Sequence, residues 1–235
     1  MYMNNLDQEQ SLEAFQKRAE IAFSDLRLLR TAFTHRSYVN ESNQSAEHNE
    51  RLEFLGDAVL ELVVTDYLFR EYPDMPEGVL TAYRAALVNT VMLGSVAEDL
   101  GMNQCLLLSK GESKDTGRAR TSILANTFEA VVGALYLDQG YDAAKAFITR
   151  NVISRIDEVV KTGAWKDSKS AFQELAQAKY GLTPRYEVVR SEGPDHDKCF
   201  VVAVYVGDVS VAEGEGSSKQ EAEQRAAAHA LQQES

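Results

Sequence analysis

The stretch from Asn49 to Tyr72, NERLEFLGDAVLELVVTDYLFREY, sets the first limit on the fold. It is too long for a strand, and Leu52, Phe54, Leu55, Ala58, Val59, Leu60, Leu62 and Val63 clothe most of a helix surface. Pro73 and Pro76 stop it. Such a helix reads as part of the core of a helical domain. Yet Glu53 and Asp57 stand inside it, one turn apart on one face. Carboxylates are costly to bury unless something offsets their charge, so these two need an explanation.

The rest of the first two thirds also reads as helix. Ser11 to Ala32 carries apolar residues at mixed helical spacing, and Gly78 to Leu100 reads as one helix that Gly101 ends. Residues 106–121 form a polar loop. TSILANTFEAVVGALYLDQG then reads as a helix capped by Thr121 or Ser122 and stopped by Gly140, with a further helix over Ala143–Lys161. An all-α domain over residues 1–161 follows, then a linker at 162–168. From 169 to 235 the period changes. A short helix to Tyr180 precedes three short strands with turns at Gly193-Pro194 and Gly207-Asp208, and a last helix carries Ala222, Ala226 and Ala230 as a small-residue stripe. This is a small α+β module of order α-β-β-β-α.

The second apolar helix of the first domain repeats the oddity of the first. Asn126 and Glu129, at i and i+3, share a face, with Ile123, Leu124, Phe128, Val131 and Val132 around them. Gly133 lies on the face of Glu129 and would let a neighbouring helix come close. If the two faces meet, Glu53, Asp57, Asn126 and Glu129 converge as oxygen donors. Hard divalent ions such as Mg²⁺ take oxygen ligands, activate water and stabilise a leaving oxygen at phosphorus. The pattern is that of a metal-dependent nuclease or phosphatase. The same spacing also suits a solvated acidic stripe, since charged side chains are mostly exposed. Glu50 and Glu61 extend the first stripe and read as peripheral.

At this point the residues carry a resemblance. NERLEFLGDAVLELVVTDYLF is similar to the signature of the ribonuclease III family, with FTHRSY before it and EGVLTAYRAALVN and SILANTFEAVVGALYLD after it in the family's order. SAFQELAQAKYGLTPRYEVV and GSSKQEAEQRAAAHAL resemble the double-stranded-RNA-binding domain of bacterial members. The resemblance runs from about Leu12 to Gln232. It implies an all-helical endonuclease domain that forms a homodimer, each subunit holding one acidic site. It implies cleavage of duplex RNA by metal-activated water, leaving 5′-phosphates and short 3′ overhangs, with ribosomal RNA precursors and other structured RNAs as substrates. Glu53, Asp57, Asn126 and Glu129 fall on its metal positions, and Asp57 and Glu129 on its catalytic ones. Mg²⁺ is the implied ion, and Mn²⁺ the substitute. One position departs: most bacterial members carry Asp where this chain has Asn126. Asn keeps an oxygen donor and loses a charge. The alternative is therefore a duplex-RNA-binding protein with weak or no catalysis.

In the C-terminal module the resemblance implies three RNA contacts: the first helix at Gln173, the loop at His196, and the start of the last helix at Ser218 and Lys219, where backbone N–H groups meet phosphates. Arg118 and Arg120, just before the second acidic helix, are further candidates, ahead of Arg84 and Lys110. The formal charge of −12 argues against a general nucleic-acid binder, but binding uses a patch and not a sum. The module itself has seven Lys and Arg against more acids, so salt-sensitive affinity is expected. No phosphate-loop or dinucleotide motif is present, so no nucleotide cofactor is expected. His35, His48, His196 and His229 lack zinc-site spacing. No apolar run reaches membrane-spanning length, and the N-terminus lacks a secretory pattern. With only Cys105 and Cys199, a reducing cytoplasm and no membrane partner are expected.

Overall fold

The computed structural model describes residues 5–42, 47–114, 116–163, 165, 168–193 and 198–234. The chain divides into two compact units, Met1–Trp165 and Lys166–Ser235. The first is helical: α1 (Asn5–Ala19), α2 (Leu26–Ala32), α3 (Arg36–Ser42), α4 (Glu50–Glu71), α5 (Glu77–Val88), α6 (Thr90–Asp99), α7 (Arg118–Gln139), α8 (Tyr141–Asn151) and α9 (Ile156–Thr162).

α7 is its axis. From Ile123 to Leu135 every position is buried except Asn126 and Glu129, which are half-buried. A helix apolar all round belongs at the centre of a domain, so these two polar residues mark a window in it. α4 lies along α7 in the most extensive helix pairing of the unit. It buries Leu52, Gly56, Val59, Leu60, Val63, Val64 and Leu68. Its other face is not core: Phe54 is 81%, Leu62 58% and Phe69 71% exposed. The expectation of a nearly all-round core helix fails there, because apolar composition does not say which neighbour covers it.

Several helix boundaries also differ from expectation. The helix expected over Gly78–Leu100 is broken at Asn89, and α5 and α6 meet at 43°. Asn89 adopts an extended backbone, its Oδ1 accepts from the Met92 N–H at 2.9 Å, and its Nδ2 donates to the Ala85 and Ala86 carbonyls. One amide thus caps the end of α5 and the start of α6. α7 starts at Arg118 after Gly117, leaving Thr121 and Ser122 inside the helix and not at its cap. The helix expected over 143–161 is interrupted at Val152 by a 3-10 turn, Ile153–Arg155. α1 begins before Ser11, and Glu20, at φ 53°, separates it from α2. The Asp138 carboxylate, near the end of α7, accepts the Ser24 and Asp25 N–H groups at 2.8 Å each and ties down the start of α2.

The second unit comprises α10 (Ser168–Tyr180), β1 (Arg185–Glu192), β2 (Cys199–Val206), β3 (Val209–Gly216) and α11 (Lys219–Glu234). Its antiparallel sheet has order β1-β2-β3, and the tight turn between β2 and β3 uses Gly207 at φ 62°. Phe172 and Ala176 of α10 pack with Val204, Val206, Ala212 and the alanines of α11. A Cβ on Gly214 would fall 2.2 Å from the Ala226 nitrogen, so α11 rests directly on the backbone of β3.

Candidate active site

The crossing of α4 and α7 builds the site. A Cβ on Gly56 would lie 1.8 Å from the Glu129 carbonyl oxygen and 2.8 Å from the Gly133 nitrogen. One on Gly133 would lie 2.2 Å from the Leu52 carbonyl oxygen. The backbones touch, and only two glycines permit it. Glu53 and Asp57 bracket Gly56, while Asn126 and Glu129 lie within two turns before Gly133. The crossing therefore sets the four side chains together in the polar window of α7. Gly133 carried a signal in the sequence; Gly56, its counterpart, was hidden inside the signature stretch.

Their electrostatics show the crowding. Burial pushes the Glu129 carboxyl up to about 7 from the ordinary 4.5, and the charges of Asp57, Glu53 and Glu61 push it the same way. Glu53 is also raised, by burial first and then by Glu50, while a hydrogen bond from the Asn126 amide opposes the rise. Asp57 is exposed, so the site is open to solvent on that side and less dry than α4's composition suggested. Glu50 has partners elsewhere, Arg36 at 3.2 Å and His48 at 3.8 Å. Among the described residues, Glu53, Asp57 and Glu129 form no ion pair with any lysine or arginine. Nor do three of His, Cys, Asp or Glu enclose a ready metal cage among those residues. What the helices offer is an incomplete hard-oxygen set: three carboxylates and an amide oxygen. That donor chemistry fits Mg²⁺, which keeps several of its waters and takes few protein carboxylates.

In the second unit, Gln173 of α10 and Gln220 of α11 line one polar depression of about 320 Å³ with Lys169, Ser170, Pro184, Tyr186 and Gln224. Lys169 spans it, with Nζ 2.7 Å from Glu223 Oε2 and 4.8 Å from the centre of the Tyr186 ring. Gln224 had not stood out in the sequence, and Lys169 only as one of the module's seven basic residues; Gln220 stands where relatives often carry a second basic residue. Ser218 Oγ accepts the Glu221 N–H at 3.2 Å, capping α11. Glu221 in turn accepts from the Ser217 N–H and from Arg225, which neutralises the nearest acid of that helix start. Lys219 beside it is exposed. His196 lies outside the described residues.

Comparison with known proteins decides the family. A model described as Ribonuclease-III-like matches residues 25–156, and one described as double-stranded RNA binding motif matches residues 168–234. Ribonuclease 3 of Borreliella burgdorferi is 42% identical over 225 residues, covering 96% of this chain and 92% of that one. The chain belongs to the ribonuclease III family. Ribonuclease 3 of Natranaerobius thermophilus is 46% identical over 213 residues, covering 89% of this chain and 91% of that one. The nuclease domain of ribonuclease III from Campylobacter jejuni, whose structure is titled for a region involved in dimer formation, has a TM-score of 0.56 at 38% identity, covering 61% of this chain and 96% of that one. As a ribonuclease III, the chain is an endoribonuclease with a helical nuclease unit and a double-stranded RNA-binding motif.

The remaining candidates take different places on this ribonuclease III. Arg118 is exposed in the first turn of α7. Arg120 is half-buried, and its Nη2 donates to the Glu112 and Ser113 carbonyls, so it holds its own loop together. Lys110 gives its backbone N–H to Glu41 Oε2 at 2.8 Å. His35, lowered by burial, has Nδ1 2.8 Å from Ser37 Oγ, which accepts the Ser109 N–H. That linkage stitches α3 to the 106–112 segment and is structural. Beside the site, an open groove of about 790 Å³ runs past Leu28, Leu52, Leu55, Phe54 and Leu137.

Proposed function

We propose that the chain is a Mg²⁺-dependent, duplex-specific endoribonuclease acting as a homodimer, with Mn²⁺ as an effective substitute. The observation that carries this is the Gly56–Gly133 crossing, which gathers Glu53, Asp57, Asn126 and Glu129 with, among the described residues, no cationic side chain paired to the acids. These four residues would hold the ion. Bound there, Mg²⁺ supplies Lewis acidity, lowering the pKa of a water and stabilising negative charge at the scissile phosphate. Without the ion, burial and the neighbouring acids hold the Glu129 carboxyl up at about 7; a cation held there would favour its carboxylate form, so Glu129 would serve as a ligand that orients the reacting water. Water attacks phosphorus and the 3′-oxygen leaves, giving a 5′-phosphate and a 3′-hydroxyl. Asn126 fits this role despite its missing charge, because its amide steadies Glu53 and keeps an oxygen for the ion.

The polar depression at Gln173 and Gln220, with the start of α11 at Ser218 and Lys219, supports duplex RNA as substrate, read by shape and phosphate position. The exposed Phe54, Leu62 and Phe69 of α4, with the open groove at Phe54, support a second copy of the chain as partner, which would bring a second acidic site to the opposite strand and leave short 3′ overhangs. The family supports ribosomal RNA precursors and other structured RNAs as substrates, and the two free cysteines fit a reducing cytoplasm. The test incubates a long RNA duplex, and each strand alone, with wild type or Asp57→Asn in Mg²⁺ or chelator. Cleavage of the duplex alone, by wild type alone and only in Mg²⁺, supports the proposal. Duplex binding without cleavage supports the non-catalytic alternative that Asn126 raises.

A further inference from the structure

Along the outer side of α4, Glu53, Asp57, Glu61 and Thr65 follow one another at four-residue intervals. The last three are exposed. At the far end of this stripe, Arg84 of α5 donates Nη1 to Thr65 Oγ1 at 3.1 Å. Glu61 stands between, close enough to act on Glu129. Thr65 is two turns past Asp57, or about 12 Å along the axis at 1.5 Å per residue.

Arg84 differs from the arginines of the unit that pair with acids. Arg36, Arg70, Arg150 and Arg155 each meet a carboxylate. Arg84 is half-buried, is fixed by a neutral hydroxyl, and forms no ion pair among the described residues. Of the five N–H donors of a guanidinium, the hydroxyl takes one. A planar fork held in place with its charge uncompensated suits a phosphate, which it can grip through two parallel hydrogen bonds. The stripe beside it otherwise repels an RNA backbone. A fixed cation at its end gives the strand a place to be held while the scissile phosphate lies over the acids.

We propose that Arg84, anchored by Thr65, binds a backbone phosphate of the strand being cut, about two to four nucleotides from the scissile position. This rests on the duplex-cleaving reading above and adds a substrate contact to it. The experiment uses the full chain and a short duplex with one cleavage site. Single methylphosphonates, which remove one phosphate charge each, are walked along the cut strand. In wild type, one of them in that interval should raise KM about five- to tenfold. Arg84→Gln should raise KM by a similar factor on the unmodified duplex, with kcat changed less than about threefold, and should lower the slope of log KM against log salt by about one. The same methylphosphonate should then have no further effect. Arg84→Lys should recover part of the loss, and Thr65→Val should fall between wild type and Arg84→Gln.

Arg84→Gln that stays as sensitive as wild type to every methylphosphonate, with an unchanged salt slope, overturns the inference while leaving the cleavage reading intact. If Arg84→Gln does not fold, Arg84→Met and Thr65→Val decide: undiminished methylphosphonate sensitivity in both overturns it. A wild type that does not cut the duplex overturns the functional reading, and this inference with it.

Discussion

Glu129→Gln should make the nuclease unit more stable while destroying its activity, and the gain should depend on pH. Glu129 titrates at about 7 in the folded chain, against 4.5 as the ordinary value. A carboxyl raised on folding contributes stability that is fully present below about pH 4.5 and is lost as pH rises through about 7. Above that, the wild type carries a carboxylate that burial and the Asp57 and Glu53 charges oppose. The gap corresponds to at most about 3 kcal/mol. Glu129 is only half-buried, so solvent screening reduces this to about 1–2 kcal/mol. Glutamine keeps the shape and has no charge to lose. In chelator, the melting temperatures of wild type and Glu129→Gln should lie close together at pH 5. By pH 8.5 the variant should melt higher by roughly 3–6 °C. Saturating Mg²⁺ should close the gap, because an ion bound only by the folded wild type stabilises it. A difference that stays the same from pH 5 to pH 8.5, or a variant less stable at pH 8.5, would refute this account of the site's electrostatics.

Three further outcomes follow from the same geometry. Gly56→Ala places a methyl group 1.8 Å from the Glu129 carbonyl oxygen, so α4 and α7 must part; thermal denaturation should show a loss of at least about 3 kcal/mol, and cleavage should disappear. Phe54→Asp changes a residue that is 81% exposed, so the fold should survive within about 0.5 kcal/mol; if the chain pairs as proposed, sedimentation velocity should show a dimer for wild type and a monomer for the variant. Asn126→Asp restores a fourth carboxylate and should lower the Mg²⁺ concentration for half-maximal cleavage; an unchanged metal titration would show that the Asn126 side chain does not face the ion.

Helical spacing puts Glu53 with Asp57 and Asn126 with Glu129, inside apolar runs where charge is out of place, but it suits a solvated stripe as well, and the family resemblance was what joined the two pairs. The three-strand module was legible because the hydrophobic period changes after the linker. The break at Asn89 was not, since the apolar pattern runs through it and a single amide that caps two helices leaves no periodic trace. The exposure of Phe54, Leu62 and Phe69 was hidden for a related reason: residues that face a partner and residues that face the core have the same chemistry. Arg120 read as a candidate RNA contact because it is basic and close to the acids, yet its place in the fold is set by two loop carbonyls that no local pattern announces.

On the proposed function, the α4–α7 crossing holds a divalent cation. Titration of the full chain with Mn²⁺, followed by calorimetry or by the electron paramagnetic resonance of free Mn²⁺, tests this without RNA. Wild type should bind one ion per chain, more tightly at pH 8 than at pH 6 as Glu129 gives up its proton. Glu129→Gln should weaken binding at least tenfold, about 1.4 kcal/mol or more, and should lose most of the pH dependence. Equal affinity and equal pH dependence in the two proteins would mean that the crossing does not hold the ion.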